Sequence, residues 1–135
     1  MGQQQLLLLV MGIVLVAVAV MGGFVAFQEK MRQNEADALV DYNLGIATDA
    51  IFWKAKFDPF AGGNASYTGL EEGGMQKLFR GDSTYIGRFK ITLAQGDELQ
   101  ITAVSLRYPD IGARTYVFGQ QIDSTSISYN GLIDY

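Results

Sequence analysis

The chain has 135 residues, 49% of them apolar, with 10 Lys+Arg against 14 Asp+Glu and neither Cys nor His. That length holds at most one modest domain. The missing residue types exclude a disulfide scaffold, a thiolate metal site and imidazole acid–base catalysis. We expect no enzyme activity and no cofactor. A net charge of −4 with basic residues scattered singly gives no footprint for nucleic acid.

Every charged residue lies at or after Glu29, so the first 28 positions and the rest of the chain require different solvents. Leu6 to Phe27 is an unbroken run without a charged or strongly polar side chain. As a helix it rises roughly 33 Å, enough to span a bilayer. It is apolar on all faces, so it needs lipid or protein around its whole circumference. A secretory signal peptide fits poorly, because MGQQQ supplies no positive residue and the run continues into FQEKMRQNEAD rather than a cleavage site. Gly22 and Gly23 each cost about 1 kcal/mol of helix propensity in water relative to Ala, which marks them as the place to bend or unwind. Lys30 and Arg32, counted alone, favour a cytoplasmic C-terminal part, and a basic leader before residue 1 would reverse that count.

From Leu39 the apolar positions fall to a stripe, Leu39, Tyr42, Ile46, Ala50, Trp53 and Phe57, with helical spacing. Asp37, Asp41, Asn43, Thr48, Asp49 and Lys56 fall on other faces. Together with Lys30, Arg32 and Lys54 the charged residues suggest a mixed-charge outer surface. Asp58-Pro59 and Gly62-Gly63 are expected to stop the helix. Residues 58–83 read as a Gly-rich connection with a short helical turn around Met75 to Phe79.

Residues 84–135 turn to period two. Tyr85, Phe89, Ile91 and Leu93 oppose Arg88, Lys90 and Thr92. Gln95-Gly96-Asp97 is a turn. Leu99, Ile101 and Ala103 share a face before the alternation shifts to Val104, Leu106 and Tyr108, which suggests a bulge or a change of face. After the turn at Pro109–Gly112 two further strands offer Tyr116, Phe118, Ile127 and Tyr129 as core candidates. The expected fold class is α+β: one long N-terminal helix, apolar over residues 1–28 and amphipathic over 29–57, packed on an antiparallel sheet of about four strands.

This arrangement resembles the type IV pilins and the related pseudopilins. At residue level the resemblance lies in Gln5 followed by Leu6 and the run Leu7 to Val20; Gln5 stands where Glu is usual, and the frequent C-terminal disulfide loop is missing. The resemblance implies a structural subunit of an extracellular, cell-surface filament. The chain would be inserted in the inner membrane before assembly, handled by a pilus assembly machinery, and then polymerised with copies of itself as a helical homopolymer. The filament core and membrane span would then comprise Gln5, Leu6, Leu7, Leu8, Leu9, Val10, Ile13, Val16, Val20, Phe24 and Phe27, with unwinding at Gly22 and Gly23. A pseudopilin of a secretion apparatus and a single-span membrane-anchored binding module are the alternatives.

Two polar features stand outside that picture. Glu71-Glu72 and Asp97-Glu98 are adjacent carboxylates without regular ligand spacing, so they read as solvated turn residues rather than a calcium site. Asn64-Ala65-Ser66 matches the N-glycosylation acceptor pattern.

Overall fold

The structure is a computed structural model and describes residues 2–57 and 62–131. Its elements are α1 (Gly2–Ala55), α2 (Gly74–Lys77), and strands β1 (Gly87–Gln95), β2 (Glu98–Ser105), β3 (Gly112–Phe118) and β4 (Gln121–Ser128). The strands form one antiparallel meander in the order β1-β2-β3-β4, so the protein is α+β as expected. The chain divides into two compact units, Met1–Gln33 and Asn34–Tyr135, with α1 continuing from one into the other.

In the second unit, Ala36, Leu39, Asn43, Ile46, Ala47, Ala50 and Lys54 form the buried side of α1. Its alanines, Ala36, Ala47 and Ala50, are fully buried. The closest fit is at Gly87, where a Cβ would lie 2.9 Å from Leu39 Cδ2 and 2.4 Å from the Val104 carbonyl oxygen. Beside it the Tyr42 and Phe89 rings meet at 4.1 Å. Polar contacts mark the ends of this packed segment. Ser105 Oγ donates to Glu35 Oε1 at 2.8 Å, and Lys54 Nζ donates to Asp97 Oδ1 at 2.5 Å. Residues 35 to 54 rise about 28 Å as helix, and residues 97 to 105 extend about 27 Å as strand. The packed half of the helix therefore matches the length of β2.

The buried face is rotated from the stripe expected from the apolar spacing. Asn43, expected on an outer face, is fully buried and donates through Nδ2 to the Ala113 carbonyl at 3.4 Å. Lys54 is buried as well. Tyr42 and Trp53 flank the core half-buried, and Phe57 is 78% exposed beyond the helix end at Ala55. The expected stop at Asp58-Pro59 lies outside the described residues. What the structure shows at the helix end is capping by the returning chain: the amides of Gly63, Asn64 and Ala65 donate to the carbonyls of Trp53, Lys56 and Lys54. Gly63 makes this possible, since a Cβ there would sit 2.3 Å from the Ser66 oxygen and 2.6 Å from the Trp53 ring.

The sheet corrects several expected core positions. Tyr85 is 93% exposed, because Thr84 Oγ1 accepts the amides of Ile86 and Gly87 in a turn and the alternation begins only at Gly87. The register shift lies in β1, between Ile91 and Leu93, so Ala94 rather than Leu93 completes its buried face. On β2 Leu99, Ile101, Ala103 and Ser105 are all buried, Thr102 on the other face is buried as well, Val104 is only half-buried, and Leu106 is exposed. On β3 Ala113, Thr115 and Val117 are buried after the buried Gly112, and Tyr116 and Phe118 lie on the opposite face with Arg114. β4 buries nothing, and Ile127 and Tyr129 remain exposed by more than a third.

Candidate functional site

The first unit consists of α1 from its start through Gln33. From Gln5 to Phe27 every residue is exposed. Leu6, Leu7, Leu8 and Leu9 are each between 62% and 69% exposed, Val10 is 50%, Ile13 62%, Val16 63%, Val20 65%, Phe24 61% and Phe27 63%. The most apolar stretch of α1 is long enough and apolar enough to cross a membrane. The helix runs unbroken through Gly22 and Gly23, and a Cβ at either would meet nothing within 4 Å. The unwinding expected there concerns an assembled state, and it remains an expectation.

The second unit holds a polar cluster that sequence reasoning missed. The two-residue turns of the β1–β2 and β3–β4 hairpins meet where the Gly119 amide donates to the Asp97 carbonyl at 2.9 Å. Gly96 and Gly119 allow these turns, with φ of 54° and 65°. Lys54 reaches this junction from the helix, giving one N–H to Asp97 and another to the Gly119 carbonyl at 3.3 Å, with its ammonium 4.7 Å from the Tyr67 ring centre. Tyr67, fully buried, donates its hydroxyl to the same carbonyl at 2.6 Å. Burial, and secondarily the Asp97 carboxylate, push the Tyr67 phenol up to about 12. Asp97 is thus an ion-pair partner rather than only a solvated turn residue. The cluster ties helix end, connecting loop and both hairpins together.

A second pair, Arg80 with Asp49, anchors α2 to the helix, with the Arg80 guanidinium 5.2 Å from the Tyr42 ring centre. The Asp49 carboxylate, through its hydrogen bond and charge, holds the Arg80 pKa above its ordinary value despite the opposing effect of burial. With Lys54 and Asp49 engaged within the chain, the mixed-charge surface expected on this half of the helix is smaller: Lys30, Asp37 and Asp41 are exposed on α1, and Lys56 just beyond its end. Asn64 is exposed in a turn with φ of 51°, open to modification. Glu71 accepts the Ala94 amide at 3.3 Å, and among the described residues no group of three acidic side chains could hold a metal ion. An open cleft of about 690 Å³ beside the helix end is lined by Phe52, Trp53 and Phe79 together with Lys56 and Lys77.

Comparison with protein-family models, curated proteins and solved structures finds no match. The architecture stands on its own geometry: a long helix, apolar in its first half, that packs its second half on a four-stranded antiparallel sheet. That is a pilin-like architecture. Such a helix suggests insertion into a membrane or polymerisation.

Proposed function

We propose that the chain is the structural subunit of an extracellular type IV pilus-like filament, polymerising through its apolar N-terminal helix after residence in the inner membrane. The observation that carries this reading is the contrast between the two parts of α1. Asn34–Ala55 has its own sheet to cover one side, whereas Leu6–Phe27 is apolar around its full circumference and exposed throughout. Transfer from water would stabilise a packed core by roughly 25 cal/mol per Å² of apolar surface. From lipid the gain is chiefly close packing, so assembly requires work from a partner machinery. Self-association, that machinery, the absence of catalysis and the lack of a nucleic-acid role all belong to this reading.

The test uses a charge in the core. Leu9→Asp and Val16→Asp each place an unpaired carboxylate among apolar neighbours, at a cost of several kcal/mol. Assembly is expected to fail for both. Because a central charge also opposes membrane insertion by about 2.5 to 3.5 kcal/mol, inserted protein is quantified first by membrane fractionation. Normal filaments built from an inserted Leu9→Asp subunit would refute the helical core.

A further inference from the structure

The two edges of the sheet are treated differently. β1 is covered: the Phe89 amide donates to the Asp82 carbonyl at 2.8 Å, Ser83 bridges Arg88, and the exposed Arg88 and Lys90 place positive charge along that strand. These are the usual defences of an edge strand. β4 has few of them. It carries no Lys, Arg or Pro, its one charge is Asp123, and its register shift against β3 lies at that residue. Beyond the shift, Ser124 to Ile127 pairs regularly with β3, is uncharged and is exposed, and among the described residues no strand pairs with its far side.

We propose that this edge pairs antiparallel with β4 of a second copy of the chain about a two-fold axis at Ser126. The register is self-complementary. Centred on Ser126, it sets Thr125 of each copy opposite Ile127 of the other. Both residues lie on the face that α1 covers elsewhere in the sheet, since Thr125 pairs with the buried Thr115 and Ile127 with the buried Ala113. Ser124 and Ser126 share the other face, opposite Tyr116 and Arg114. Pairing covers the exposed Ile127 with a β-branched neighbour, satisfies the edge amides and carbonyls, and brings no like charges together despite the net charge of −4. A second copy suits the edge better than a charged partner, because no charged side chain lies between Ser124 and Ile127. The contact is two-fold, so it joins copies side by side and does not extend a polar helical filament.

The chain has no cysteine, so single substitutions report cleanly. In the proposed register the two Ser126 Cα atoms lie about 4.5 to 5.5 Å apart, within disulfide range, whereas the two Ser124 Cα atoms are about 14 Å apart. The full-length chain in detergent micelles, as Ser126→Cys or as Ser124→Cys, is oxidised with copper–phenanthroline and followed by non-reducing electrophoresis. Covalent dimer is expected to form at least about tenfold faster from Ser126→Cys. Rates within about twofold of each other, or no dimer from a Ser126→Cys chain with unchanged circular dichroism, would overturn the pairing. Neither result depends on filament formation.

Discussion

Tyr67 and Lys54 show what a single residue contributes where loops meet. Tyr67→Phe removes a 2.6 Å hydrogen bond to the Gly119 carbonyl and leaves that acceptor to Lys54 and solvent. It should cost about 1 kcal/mol, read from thermal unfolding in detergent. The same variant has a pH signature. The folded state holds the phenol proton up to about 12, against 10.0 in the ordinary group, so the stabilisation is complete below about 10 and is lost as pH rises toward 12. Tyr67→Phe should therefore show a shallower loss of stability across that window. Phe79 is a different case. It sits just past α2 with φ of 57°, where the Arg80 amide closes back on the Met75 carbonyl, the position at which helices usually place glycine. Its ring is 96% exposed. Phe79→Gly should raise the melting stability by about 0.5 to 1 kcal/mol, and a decrease would show that the ring's packing outweighs the backbone strain. Neither residue's role was legible in the sequence: nothing in residues 60–83 distinguishes Tyr67 from the other aromatic residues, and helical spacing alone put Lys54 among the solvated charges.

At the scale of elements, the pairing of one half-helix with one sheet was legible because each has its own period. The 3.6-residue spacing persists through Leu39, Ile46 and Ala50, and the two-residue alternation through Leu99, Ile101 and Ala103. What the pattern could not supply is which side of a strand meets the helix. Tyr116 and Phe118 are larger than Ala113 and Thr115, yet the smaller set shares the buried face with Val117. Ile127 shares the helix-side face, but β4 is at the edge of the sheet. Gly87 measures how close the helix lies to the sheet. Gly87→Ala must displace both Leu39 and the Val104 backbone and should destabilise the sheet unit by about 1 to 3 kcal/mol. Asp41→Ala, on the exposed side of the same helix, should change stability by no more than about 0.5 kcal/mol. A thermal melt of the two variants side by side separates these outcomes, and equal stability would mean that the helix does not lie against Gly87.

For the whole molecule, the decisive fact is that α1 needs two environments. Asn34–Tyr135 has a core of its own, including Leu39, Ile46, Phe89 and Ile101, and Leu6–Phe27 has none. The change of solvent at Glu29 is written directly in the charge distribution, which made the membrane or polymer requirement legible from sequence. Which of the two applies is a property of many copies rather than of one. Gln5 sharpens the point: it is exposed near the start of the helix, and as a neutral amide it can donate and accept hydrogen bonds but carries no charge. The most direct measurement is electron cryo-microscopy of the native assembled protein at a resolution that traces helices. A filament subunit gives a continuous polymer in which Leu6–Phe27 of neighbouring copies pack against one another at the axis. Native material consisting only of membrane-embedded single chains or small oligomers, with Leu6–Phe27 in lipid, would contradict it.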